Sequence, residues 1–332
     1  MTLSNKVEGL NVLLILASLV LALLLPFELF LFSYAVLGPL HYLTEINWLN
    51  KNNYFINKRK YVWVLLFFTF LISFIVLFRY LKFDSDFARY LKYYSKLLIN
   101  ILIATSFFFS IGLVLFKDNK RIVVSLIFAL LLGLLFLKFV PFSFLIIGVF
   151  LPTIIHVYLF TLLFMVSGTL KSRSIFGVVA IVLLILVPIF IAINMFSFSG
   201  ETSDLVKSTF LETRFKNVLL AINQVLNDVY ITDFNFNAVT IIKMQTFLAF
   251  SYTYHYLNWF SKISIIKWTK GSSKSFLALL LVLWLASIGL YLYNYRIGIL
   301  TLYFLSLFHV IVEFPLNIIS IKAVFFNRKG FS

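Results

Sequence analysis

Residues 10–25, LNVLLILASLVLALLL, determine the class of this protein, because the run contains no charged residue. A helix needs roughly 20 mainly apolar residues to cross a bilayer. Similar runs recur along the chain: 62% of its 332 residues are hydrophobic, 12% are charged, and the mean hydropathy is +1.03. A soluble globular domain could not bury so much apolar surface, and a disordered chain would be far more polar. The sequence therefore predicts an all-α, polytopic integral membrane helical bundle.

The apolar runs between charged residues predict about ten transmembrane helices within one transmembrane domain, residues 1–332. Their approximate bounds are 9–25, 27–49, 62–78, 97–116, 122–139, 142–169, 175–196, 238–260, 276–294 and 297–320. The segments at about 79–96 and 197–237 have the spacing of amphipathic helices that lie on the membrane surface. In the second segment, Ser203 and Asp204 are expected to cap a helix. A lid over a site that opens outward is the alternative interpretation of 197–237.

The net charge of +16 indicates how the chain is oriented. Basic residues concentrate in the loops that would be cytoplasmic if both termini were cytoplasmic, as the positive-inside rule requires. We therefore expect a multi-pass protein of the bacterial inner membrane, with the lipid bilayer rather than nucleic acid as its partner. The chain has no cysteine, which excludes disulfides, iron–sulfur clusters and thiolate metal sites.

The four histidines of the chain all fall inside predicted spans, each in a different one: His41, His156, His255 and His309. Ionisable groups in the hydrocarbon layer are costly, face the protein interior and often mark functional sites. All four lie on helices that would run in the same direction, at depths that differ by only about 8 Å at 1.5 Å per residue. Four imidazoles at one level of a bundle can converge on one point.

Two glutamates accompany these histidines. Glu45 follows His41 by four residues, and Glu313 follows His309 by the same interval, which places each carboxylate on the same helix face as its histidine. A metal-bound histidine usually donates its second ring N–H to a carboxylate or carbonyl. Four nitrogens with carboxylate support and no sulfur suit Fe(II), Zn, Cu or Ni. A haem between paired histidines and a metal-free proton relay are the alternatives.

The histidine blocks resemble those of the Brp/Blh family of membrane β-carotene dioxygenases. Residues 38–45, GPLHYLTE, are similar to the opening block of that family, and residues 309–314, HVIVEF, are similar to its last histidine block. His156 and His255 occur in the order expected for the two middle blocks. The chain departs from the family pattern at Tyr42, where the family usually has glycine, and at Ser251, where it often has a further histidine.

The resemblance implies that the four histidines bind a non-haem Fe(II), or another divalent transition metal, with Glu45 and Glu313 as supporting second-shell acids. It also implies an enzyme that cleaves a double bond of a carotenoid-like or other apolar polyene with O₂. Two alternatives remain open at this stage. One is a proton- or cation-coupled transporter that uses the His and Glu residues, and the other is a membrane assembly protein without catalysis.

Overall fold

The computed structural model describes residues 3–79, 85–140, 142–193, 201–213, 215–227, 234–267, 269 and 273–326. These residues are almost entirely helical and contain no β-strand. The helices are α1 (Leu3–Leu24), α2 (Pro26–Lys51), α3 (Arg59–Phe78), α4 (Asp86–Leu115), α5 (Asn119–Phe139), α6 (Ser143–Ser172), α7 (Ile175–Ile193), α8 (Asp204–Glu212), α9 (Lys216–Asn227), α10 (Val239–Ser261), α11 (Lys274–Tyr293) and α12 (Tyr295–Phe325). One-turn helices occur at Asn53–Phe55 and Ile263–Ile266.

Nine helices of the described ranges are long and apolar enough to cross a membrane, namely α1–α7, α11 and α12. They correspond to nine of the ten predicted spans. Large hydrophobic side chains remain exposed along them, for example on α5 and α7, as lipid-facing helices require. Length and composition therefore indicate a multi-pass membrane protein.

The tenth predicted span, 238–260, is present as the helix α10 but is not among the nine apolar helices. Most of its residues are buried, including polar ones such as Gln245, Thr253 and Asn258. Neighbouring helices cover α10, so its side chains pack against protein and need not be apolar throughout. Its composition is therefore less hydrophobic than that of the nine candidate spans.

The two segments expected at the membrane surface differ from each other. Residues 86–96 do not form a separate helix but the first turns of α4, which continues to Leu115. Residues 80–84 lie outside the described residues. In the second segment, Ser203 caps α8 as predicted, because its Oγ accepts a hydrogen bond from the N–H of Val206 at 3.4 Å. The helices α8 and α9 bury Phe210 and Leu219 and expose Leu205 and Leu226.

The residues group into two compact units, each built from two parts of the chain. The first unit comprises Met1–Thr44 and Val157–Ile299, and α10 lies at its centre against α1, α2, α7 and α9. Three side-chain contacts attach α10 to α2. Gln245 donates to the carbonyl oxygen of Pro26 at 3.0 Å, the hydroxyls of Ser33 and Thr253 are 2.7 Å apart, and the Trp259 indole donates to Thr44 Oγ1 at 2.9 Å.

The second unit comprises Glu45–His156 and Leu300–Asn327. Its helices α4 and α5 approach closely where residues are small: a Cβ on Gly112 would lie 2.1 Å from the Ser125 Oγ. The Asn57 side chain donates to the carbonyl oxygens of Val114 and Phe116 at 2.9 and 3.0 Å. These carbonyls lack helical partners at the end of α4, so Asn57 fixes that end. Whether the two units form one membrane domain remains a prediction.

Candidate metal centre

The four predicted histidines are all buried, and each belongs to a different helix, α2, α6, α10 or α12: His41, His156, His255 and His309. Glu45 on α2 and Glu313 on α12 are buried as well. Buried histidines of the described residues are close enough to one another to hold a metal ion.

Two of the histidine-bearing helices contain a stretch of wide π-helical turns. In α2 this stretch is Ser33–Leu37, shortly before Pro39, and in α6 it is Ile146–Phe160, which includes both Pro152 and His156. Proline has no backbone N–H to donate within a helix, and π-turns frequently occur at functional sites.

Within the first unit, His41 and His255 form a pair. Their Nε2 atoms are 3.0 Å apart, and the ring centroids are 4.6 Å apart at an angle of 69°. The opposite nitrogen of His255, Nδ1, lies 2.7 Å from Thr161 Oγ1. The Tyr256 ring packs near both imidazoles, and Trp259 meets His41 edge-on with its ring centroid 5.6 Å away. These contacts hold both rings in place.

The hydrogen bonds around Thr161 favour one tautomer of His255. The Thr161 hydroxyl donates to the carbonyl oxygen of Val157 at 3.0 Å. In this arrangement it accepts at its contact with His255, which favours a proton on Nδ1 of that ring. In this tautomer His255 Nε2 is the acceptor in its 3.0 Å contact with His41 Nε2. Thr161 is the site residue that the histidine spacing did not reveal.

Within the second unit, His156 and His309 form a similar pair. Their Nε2 atoms are 3.1 Å apart, and the ring centroids are 5.0 Å apart at an angle of 70°. Glu313 Oε2 lies 3.0 Å from His156 Nδ1. A carboxylate at this distance favours a proton on Nδ1 of His156, and the Nε2 of the same ring faces that of His309.

The two predicted glutamates both lie near His156. Glu313 contacts His156 across helices, although the sequence spacing had placed it beside His309 on its own helix. Glu45 is close enough to His156 to interact with it electrostatically. Two carboxylates near the second pair can compensate the charge of a divalent cation.

The spacing within each pair suits two ligands of one ion. Two nitrogens about 2.1 Å from a shared ion and 3.0–3.1 Å apart subtend an angle of roughly 90–95°, as neighbouring ligands do in six-coordinate complexes. The same separations also suit a direct N–H···N hydrogen bond in the absence of metal. In both cases Thr161 and Glu313 orient their histidines as the supporting partners of metal-bound histidines do.

No family model, curated protein or solved structure matches this chain. The resemblance to the Brp/Blh family thus rests on the histidine blocks alone. The structure places these blocks in two buried imidazole pairs and adds an orienting partner to one histidine of each pair.

Proposed function

We propose that this protein is a membrane-embedded, iron-dependent oxygenase that cleaves a carotenoid-like or other apolar polyene with O₂. The observation that most supports it is the presence of two buried imidazole pairs, in which the two Nε2 atoms are 3.0 and 3.1 Å apart. Such nitrogens are the preferred protein ligands where sulfur is absent. We also propose the bacterial inner membrane as its location, with both termini in the cytoplasm.

Each buried imidazole pair would supply ligands for the metal, which when bound would supply the activation of O₂. Thr161 and Glu313 lie 2.7 and 3.0 Å from the Nδ1 atoms of His255 and His156, where they would favour the tautomers whose Nε2 binds the metal. Glu45 and Glu313 offset the positive charge. The same carboxylates make the buried site costly when no cation is present.

The surroundings of the first pair suit an apolar substrate. Tyr256, Trp259 and Phe260 have rings within 6.5 Å of the His41 ring, and such side chains exclude water from the imidazoles. A polyene dissolved in the bilayer could reach the protein through its lipid-facing surface. Exclusion of water would protect reactive oxygen species from side reactions.

A proton- or cation-coupled transporter is the second candidate, and the buried contact between His156 and Glu313 favours it. Chains of His and Glu residues form proton relays in membrane transporters. A non-catalytic assembly protein is the third candidate, because Nε2–H···N hydrogen bonds between helices would account for the distances of 3.0 and 3.1 Å. Of the three candidates, only the oxygenase requires a bound transition metal.

Metal content separates the oxygenase from the other two candidates. The protein is purified in mild detergent without a metal-affinity tag, and iron is measured by mass spectrometry in the wild type and in His41→Ala and His309→Ala. We expect stoichiometric iron in the wild type and its loss in both variants. Ser251→Ala is a matched control, because among the described residues the Ser251 hydroxyl bonds within its own helix, to the Phe247 carbonyl. Absence of any stoichiometric transition metal in the wild type would overturn the proposal.

X-ray absorption on the iron-loaded protein then counts the imidazole ligands. The substrate is tested separately by expression in a bacterium that accumulates β-carotene, where cleavage removes colour and releases retinal. If colour persists although iron is bound by imidazoles, β-carotene is excluded as the substrate and other apolar polyenes are tested next.

A further inference from the structure

Asn317 is a buried amide whose hydrogen-bonding groups are not used. Its side chain is fully buried in α12, and neither Oδ1 nor Nδ2 has a hydrogen-bond partner among the described residues. Buried polar groups in native proteins are almost always paired with protein atoms or with ordered water. An amide that uses neither its donors nor its acceptor is destabilising in an apolar environment. The side chain therefore indicates a small polar ligand.

Asn317 belongs to a line of polar residues on one face of α12. His309, Glu313, Asn317 and Ser320 are spaced by four, four and three residues, and all four are buried. At 1.5 Å per residue, the line extends about 16 Å along the helix from His309 toward its end at Phe325. We call these four residues the polar seam. The rest of this part of the helix is apolar, including Phe314, Leu316 and Ile318.

The end of α2, which belongs to the same unit from Glu45 onward, also carries a glutamate followed by an asparagine. Glu45 is followed by Asn47 on α2, and the Nδ2 of Asn47 is also buried without a hydrogen-bond partner in the described structure. The second unit thus has two carboxylates near His156 and two asparagines with unused amide groups. Their donors and acceptors are of the kind that water satisfies, since water both donates and accepts.

We propose that the polar seam holds water and is the route by which a hydrated divalent cation reaches the histidine pair His156–His309. A buried metal site needs an access path, and divalent cations lose their water shell reluctantly. A line of carboxylate, amide and hydroxyl groups can replace that water stepwise, whereas apolar side chains cannot. An anion would be repelled by Glu313. An apolar substrate would leave the Asn317 amide unpaired.

The route for the cation rests on the proposed function, but the water in the seam does not. The two parts are therefore measured separately, on the full-length protein in the same detergent. Hydroxyl-radical labelling with mass spectrometry reports water next to buried side chains. The rate of uptake of radiolabelled Fe(II) under anaerobic conditions reports the route.

In the labelling experiment, the peptide 314–320 is compared with the peptide 247–250 of α10, which contains buried Leu248 and Phe250 and no polar side chain. We expect the seam peptide to be labelled clearly faster in the wild type and at the rate of the α10 peptide in Asn317→Leu. Equal labelling of the two peptides in the wild type would overturn the hydrated seam. This result does not depend on whether the protein binds iron.

In the uptake experiment, we expect Asn317→Leu to bind the same final amount of Fe(II) as the wild type, but about tenfold to hundredfold more slowly. The leucine side chain cannot replace a water molecule bound to Fe(II) as the ion moves along the seam. Asn317→Ser keeps a hydroxyl and should retain a rate near that of the wild type, which also tests the seam if the Leu variant fails to fold. Asn11→Leu is the control, since Asn11 is an equally buried asparagine whose amide already donates to the Val7 carbonyl.

The outcomes separate the two proposals. Unchanged uptake in Asn317→Leu, with iron bound normally, overturns the route and leaves the oxygenase proposal intact. A wild-type protein that binds no iron overturns the oxygenase proposal and the route together, and labelling still decides whether the seam is hydrated.

Discussion

The hydrogen bond between Thr161 and His255 gives the sharpest test of the metal centre. We expect Thr161→Val to weaken metal binding, because valine has nearly the shape of threonine but cannot accept the hydrogen bond from His255 Nδ1, 2.7 Å away. Without this acceptor, the Nδ1 proton can move to Nε2, and that nitrogen can then no longer bind a metal ion. The variant therefore changes the chemistry of the ligand while largely preserving packing.

The expected size follows from the geometry. The contact is a short hydrogen bond between buried groups, and removal of an orienting partner of a metal-bound histidine typically lowers metal affinity 10–100-fold. This corresponds to about 1.4–2.7 kcal/mol, which is comparable with the cost of leaving a buried donor unpaired, about 1–3 kcal/mol. We expect affinity to fall within this range in Thr161→Val and to be restored in Thr161→Ser, which keeps the hydroxyl.

The assay is competition for Fe(II) against a coloured chelator, performed anaerobically on the purified wild type and variants. Thr69→Val is the matched control, because Thr69 is buried and, in the described part of the chain, its hydroxyl bonds to the Leu65 carbonyl of its own helix. An affinity of Thr161→Val equal to that of the wild type would refute the assignment of the Nδ1 proton. An equal loss in Thr161→Ser would show that the hydroxyl is not the cause.

Three further predictions concern other contacts. Glu313→Gln should lower Fe(II) affinity by about 10–100-fold in the chelator assay, since it removes the charge 3.0 Å from His156 Nδ1; unchanged affinity would contradict that role. Gly112→Ala should destabilise the protein by about 1–3 kcal/mol in thermal unfolding, because the added Cβ would lie 2.1 Å from Ser125 Oγ. Gly9→Ala is the control, since a Cβ at that position meets no atom within 4 Å. Equal melting temperatures for the two alanine variants would refute the close packing. Asn57→Ala should cost about 1 kcal/mol in the same measurement, because it leaves the carbonyls at the end of α4 without donors, and a stability like that of the wild type would count against this cap.

Much of the fold could be predicted because hydropathy and helix ends depend on residues close together in the chain. Runs such as 10–25 specified nine apolar helices, and Ser203 was recognised as a cap from its immediate neighbours. The same local rules were less informative for α10, whose buried polar residues make it less hydrophobic than the other predicted spans. They also placed a break near residue 96, where α4 is continuous.

The candidate site likewise combines residues that the sequence predicted with contacts that only the structure revealed. The sequence by itself determined that four histidines and two glutamates lie inside predicted apolar spans. Ionisable groups are costly there and often mark a functional site. Only the tertiary structure decided the pairing, which joins His41 to His255 across 214 positions of the chain and His156 to His309 across 153. It also decided that Glu313 contacts His156 and that Thr161 contacts His255. Helical spacing specifies which side chains share a face of one helix, whereas contacts between helices depend on how distant segments pack.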